Sequence, residues 1–441
     1  MNLVDVRGCE LSGATPAALA SYEHALASLL AWRGDVTPWV ERALQEAPGF
    51  VMAHALEAHR LVCSRDPLRV RAAVPLLAEA ARWPAGERER MHLAAIGAVV
   101  ADDFVRARAI LGETLARWPR DALALHVAHS FDYATGDVET MLARVERVLP
   151  AWAGALPGRH AVLAMHAFAL EECGAYAAAE DEAHAALALR SDDARAHHAM
   201  AHVFEMTDRP EVGARWMDAH VERWGGDSMV ATHGHWHVAL FHLSCGRVDR
   251  ALGMYDERLR AGPGSEIADL IDATALLWRI ELAGGDAGSR WSALVAAWDA
   301  RIEDRFCSFN DVHAMLAFVG ARDGDRARRL ERVLESGAHM PSRHGETTRS
   351  LGLAAARALR AFGRGDDGVA IALLASLPAR AQRLGGSHAQ RDVFALTIRK
   401  ALDRLCRPRL WCDDGPSRAQ AVAMARDRPR VRLADAARRS S

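Results

Sequence analysis

Lysine is almost missing from this chain. Of its 55 basic residues only Lys400 is lysine. Schiff-base chemistry would fall on that one amine, which argues against a pyridoxal-type enzyme. The cysteines are Cys9, Cys63, Cys173, Cys245, Cys307, Cys406 and Cys412, odd in number and widely spaced, with no CxxC pair. That pattern indicates neither a disulfide framework nor a zinc ribbon. Cys173 and Cys245 each precede a glycine where a helix should end, so both read as buried structural thiols. No run of about 18 apolar residues occurs, which excludes a membrane-spanning helix. The opening MNLVDVRGCELSG lacks the apolar centre of a signal peptide, so the expected location is the cytoplasm. Formal net charge is −2. Basic residues have acids at helical pairing distance, as in Asp325–Arg329 and Asp256–Arg260, so no stripe for nucleic acid or an anionic membrane is expected. P-loop, GxGxxG and GxSxG motifs are missing too, leaving no nucleotide or flavin signature and no nucleophile elbow.

What is present is a repeated helical pattern. Half of the 441 residues are hydrophobic and 25% are charged, ordinary values for a soluble protein with a core. Turn signals recur about every 15 to 20 residues, with apolar positions at helical spacing between them. Residues 160–193 form the clearest unit: a helix, a Gly174-x-Tyr176 turn, a second helix with Ala179, Ala183 and Ala186, and a Ser-Asp-Asp break. Small residues where two helices cross, with a glycine at the turn, suit a tight αα-hairpin. The period of about 34 residues is that of the tetratricopeptide repeat. Ala167 maps onto Ala201 at this period, and a third copy carries Ala239, Gly246, Ala251 and Tyr255. The expected fold is all-α, a tetratricopeptide-type αα-hairpin solenoid coiling as a right-handed superhelix. It occupies residues 1–404 as one domain of about eight or nine hairpins. Residues 405–441, rich in Arg, Pro and Asp, read as a poorly packed tail.

Five phrases go beyond a generic repeat: AFALEECGAYAAAE (167–180), HAMAHVFEMTDRPEVGARWM (198–217), HWHVALFHLSCGRVDRAL (235–252), FNDVHAMLAFVGA (309–321) and RLGGSHAQRDVF (383–394). Together they resemble the tetratricopeptide repeat protein 38 family, also called StaR-like after a member encoded near a natural-product biosynthesis cluster. The resemblance implies the solenoid fold and no defined reaction.

The candidate site starts from ARAHHAMAHVFEM. His198, His202 and Glu205 are spaced by four and three residues and share one helix face. A titratable stripe in an apolar helix costs desolvation energy unless it meets a partner, ligand or metal. In a tetratricopeptide solenoid the first helix of each hairpin lines the concave surface. That surface would then also carry His126, His129, Glu171, Glu172, His233, His235, Trp236 and His237, with Asp311, His313, His388, Arg391 and Asp392 nearer the C-terminal end. Three uses compete. The leading one is a binding scaffold whose His/Glu-lined groove receives a peptide or partner protein. The second is an enzyme, or an accessory protein of small-molecule metabolism, with His198, His202, Glu205 and His237 as acid–base groups. The third is a divalent metal held by His198 and His202, since histidines four apart can chelate one ion, with Glu205 or His237 completing three ligands. Ala199 stands where a zincin has its glutamate, so protease chemistry is not supported. The histidines predict pH-dependent binding between roughly pH 5.5 and 7.5. Ser387 and Gln390 read as a capping box behind Gly385 and Gly386, and Asp311 as a helix cap.

Overall fold

The structure, a computed structural model, describes residues 3–260 and 266–406. Cys412 and all but the first two residues of the 405–441 segment lie outside the described residues. The chain opens with a short antiparallel pair, β1 (Leu3–Val4) and β2 (Glu10–Leu11), which the helical periodicity did not foretell. Helices follow in packed pairs: α1 (Pro16–Ala31) with α2 (Thr37–Glu46), α3 (Val51–Val62) with α4 (Pro67–Ala80), α5 (Glu87–Val100) with α6 (Phe104–Arg117), and α7 (Ala122–Thr135) with α8 (Val138–Val148). Next come α9 (Arg159–Glu172) with α10 (Tyr176–Leu189), and α11 (Ala194–Met206) with α12 (Pro210–Ala219) and the one-turn α13 (Val221–Trp224). The second half continues with α14 (Ala231–Ser244) and α15 (Val248–Met254), α16 (Ile267–Leu282) and α17 (Trp291–Asp299), and α18 (Ser308–Gly320) and α19 (Gly324–Gly337). The short α20 (Arg343–Thr347) precedes α21 (Leu353–Gly363) and α22 (Asp367–Leu374), and the turn α23 (His388–Arg391) leads into α24 (Val393–Cys406). Each pair packs on the next, the arrangement of an all-α repeat solenoid.

The helix starts are written locally. Aspartates 66, 103, 121, 137, 193 and 323 each cap a helix by accepting a backbone N–H from its first turn. Pro16, Pro67 and Pro210 sit at the first turn, where no N–H is needed. Gly136 closes α7 in the left-handed conformation that a Cβ disfavours.

First and second helices differ in burial. In α9 every residue from Ala161 to Glu172 is buried, and in α11 every residue from Ala194 to Phe204. The outer α10 buries only Ala179, Ala183 and Ala186, which let the two helices approach closely. A helix buried all round has neighbours on its inner side as well. Those neighbours come from closure of the coil. α1 touches α7, α9 and α11, and Met229 N–H donates to Trp32 O at 3.1 Å. Arg301 pairs with Asp66 at 3.1 Å, and Asn310 Nδ2 donates to Arg65 O at 2.9 Å. Arg343 bonds Asp102 and the carbonyl of Ala134. The superhelix folds back on itself, so its concave side is an interior.

Three expectations change. α18 begins at Ser308 with Cys307 as its cap residue, so Asp311 lies inside the first turn and accepts from His344 at 2.8 Å. Cys173 is exposed and Cys245 half-buried, because the glycine turns that follow them face solvent. Ten helix pairs occur among the described residues, where the sequence count gave about eight or nine; α16 with α17 is a pair the sequence did not single out.

Candidate functional site

α11 and α14 lie side by side, and each presents two histidines four residues apart. His198 and His202 from one helix meet His233 and His237 from the other, and a nitrogen from each of the four rings lies within 4.8 Å of the others. His198 and His202 hydrogen-bond through their Nε2 atoms at 3.0 Å. The His237 ring centre is 4.5 Å from that of His202 and 4.8 Å from that of His233. His202 and His237 are fully buried. Neither ring nitrogen of His237 has a hydrogen-bond partner, an expensive state for a buried polar group.

Outer residues orient these rings. Asp272 Oδ2 holds His233 Nδ1 at 2.7 Å. Asp272 Oδ1 accepts from Gln390 Nε2 at 3.2 Å, and Gln390 Oε1 accepts from the Tyr133 hydroxyl at 2.9 Å. Behind His202, Glu171 Oε2 faces Nδ1 at 3.7 Å. Both oxygens of Glu171 are buried without a hydrogen bond, and burial, then the charge of Glu172, push its carboxyl well above the usual range. The aromatic packing is close: Phe168 stacks on His198 and Trp236 on His233.

Burial first, then repulsion from neighbouring imidazoles, holds His198, His202 and His237 well below the ordinary histidine value. Burial of these three rings favours the neutral imidazole. Neutral imidazole is the form that binds a metal.

The cluster forms part of a cavity of about 430 Å³, bounded by Trp32, Tyr133, Phe168, Met229 and Ile271 on its apolar side. His198 and His233 line this cavity, as do His126, His129, Arg195, Asp272 and Gln390. His126 Nδ1 bonds Arg195 Nη2 at 2.8 Å, and His129 Nε2 bonds Met165 O at 3.1 Å.

Other residues of the sequence-derived site go elsewhere. Glu205 lines a separate cleft of about 380 Å³ with Asp208, Arg279, Asp392 and Lys400. One more helical turn carries it past the cluster, where His237, the other third ligand considered, stands with His233. His235 turns outward against Trp224. Glu172 accepts from His388 N–H at 2.9 Å and pairs with Arg391 at 3.1 Å. Asp392 pairs with Arg279. His313 is buried on its own helix, bonded to Phe309 O at 2.8 Å. Ser387 and Gln390 form the expected capping box.

Sequence reasoning missed Asp272, Gln390 as a support, and Arg195. It also missed a buried relay in which His59 bonds His92 at 3.0 Å and His92 bonds Asp121 at 2.8 Å. The second HxxxH, His233 to His237, was the signal that could have sharpened the reading, since two such pairs on adjacent hairpins make four donors.

No protein-family model matches the chain. Among solved structures, yeast Tom70 is similar to it over 89% of each chain, with 11% sequence identity and a TM-score of 0.42.

Proposed function

We propose that this helical-repeat protein acts in small-molecule metabolism, as an enzyme or its accessory, through a divalent metal held by His198, His202, His233 and His237. The observation that carries this is the convergence of four imidazoles, three of them buried and that of His233 half-buried, on one point. Nitrogen donors suit zinc, iron, copper or nickel rather than magnesium or calcium. Carboxylates behind two of the rings, Asp272 on His233 and Glu171 on His202, match the outer support that histidine ligands ordinarily have. The neighbouring Glu171, Glu172 and His388 also converge, but the guanidinium of Arg391 already serves as the cation there. His202 and His237 would grip the metal from the interior, leaving its His198–His233 side toward the cavity. There it would polarise a bound oxygen or activate water.

The test is elemental analysis of untagged protein prepared without chelator, followed by zinc reconstitution. Near-stoichiometric metal is expected in the parent and in His235→Ala, and its loss in His202→Ala/His237→Ala. A parent protein that neither carries nor takes up metal would sink the proposal.

A protein or peptide partner is the second reading, the general use of a solenoid scaffold. The observation favouring it is the cleft around Glu205, Arg279 and Lys400, which offers charges of both signs beside Leu240, Leu243 and Leu282. A peptide there would bind independently of the histidines.

A further inference from the structure

Arg195 is 3% exposed and lines the cavity. Its Nε donates to Leu30 O at 3.2 Å, its Nη2 bonds His126 Nδ1 at 2.8 Å, and its guanidinium lies 3.9 Å from the centre of the Trp32 ring. All of these partners are neutral. The acid nearest in sequence, Asp193, is engaged by His160 at 2.5 Å and caps α11 with the same carboxylate. A guanidinium desolvated without a hydrogen-bonded counter-ion is costly; burial pushes this one down to about 10, and the charge of Asp193 offsets only part of that.

The rest of the cavity wall shows where its charges go. Asp66 is paired with Arg301, Glu266 with Arg69, and Asp272 with His233 and Gln390. Asp269 hydrogen-bonds Thr232 and is raised to about 6 by burial and then by Asp272. Arg65 lies over the Phe309 ring at 4.8 Å and the Tyr133 ring at 5.5 Å and forms no ion pair among the described residues. The carboxylates are mostly committed, while Arg195 and Arg65 have no salt-bridged acid among the described residues.

We infer that the cavity binds a small organic carboxylate, its acid group on the Arg195 guanidinium and its apolar body against Trp32 and Phe168. Arg195 supplies a charge-assisted hydrogen bond, and Arg65 adds a second positive charge. The inference rests on a small molecule entering this cavity, but not on the metal.

Calorimetric titration of the full chain with 3-phenylpropanoate and hexanoate, each against its neutral amide, tests it. Measurements run on chelator-stripped and zinc-loaded protein, so that a carboxylate bound only by the metal shows itself. In stripped protein the acids should bind about 10- to 100-fold tighter than the amides. Arg195→Gln should bring acid and amide within about 3-fold of each other, whereas Arg195→Lys should keep part of the preference. Equal affinity of acid and amide, or binding of neither acid to stripped protein, overturns the inference even if the glutamine variant fails to fold. Persistence of the preference in a folded Arg195→Gln overturns it as well. Absence of metal in the parent leaves this comparison intact, so the two readings fail separately.

Discussion

Glu171 Oε2 and His202 Nδ1 face each other across 3.7 Å, with no solvent on either side chain. The carboxyl belongs to the last turn of α9 and the imidazole to the middle of α11, 31 positions apart, so the stacking of consecutive hairpins brings them together. When Nε2 of His202 binds a cation, Nδ1 keeps the proton and directs it at Glu171. Glu171→Gln keeps the shape and removes the carboxyl, whose ionisation burial opposes and a cation on His202 would favour. Its zinc affinity, measured by competition with a chelating dye, is expected to fall about 10- to 100-fold. Thermal stability of the stripped protein should hardly change. An unchanged zinc affinity would mean that Glu171 does not position His202.

Asp121 is a hub of stability away from the cluster. It takes Arg88 at 2.6 Å and His92 at 2.8 Å, and caps α7 through Ala124 N–H at 2.9 Å. Asp121→Ala leaves Arg88 buried without its partner and should cost about 3–5 kcal/mol. Urea unfolding checks this.

The same carboxylate sets an acid limit. His92 and Arg88 hold Asp121 far below the usual carboxylate range despite its burial. A depressed folded-state value contributes stability above the unfolded value of about 4, and that stability is lost as pH falls toward and below it. Parent stability should decline from about pH 5 downward, and Asp121→Asn should show a flatter decline over that range. Parallel slopes in acid melting curves would contradict this.

Gly213 lies where α12 meets α14. A Cβ built there comes 2.6 Å from Cζ of Phe241, a fully buried ring. Gly213→Ala should therefore destabilise by about 1–3 kcal/mol, although alanine is the better helix former. Gly368, with open space around it, should tolerate alanine, and a melting comparison of the two separates packing from propensity.

The closure contacts have a kinetic signature. Arg301 and Asn310 tie the start of α4 to the second half of the chain. Arg301→Ala/Asn310→Ala should raise amide exchange at residues 64–69 while α9 and α11 stay protected. Uniform exchange across the chain would mean that closure and core open together.

The helical pairs were legible because their causes are local. Aspartate caps, glycine turns and alanines at crossing points act within about one turn or one hairpin. His198 and His202 were legible as partners for the same reason, four residues being one turn of helix. Glu205 was misplaced because a stripe on a helix drifts around its axis, and one more turn put that carboxylate on a different cleft.

The sequence alone determined an all-α chain of stacked hairpins and a histidine-bearing first helix, since both follow from short-range periodicity. Only the tertiary structure decided that the coil closes and that His198, His202 and His237 are buried. It also decided that Asp272 and Gln390 stand behind His233 and that Arg195 meets a cavity. These depend on contacts between residues far apart along the chain, such as Asp66 with Arg301 and Asp272 with Gln390. Burial sets the charge state of a histidine, and no local pattern in the sequence encodes how deeply a side chain will be buried once distant repeats meet.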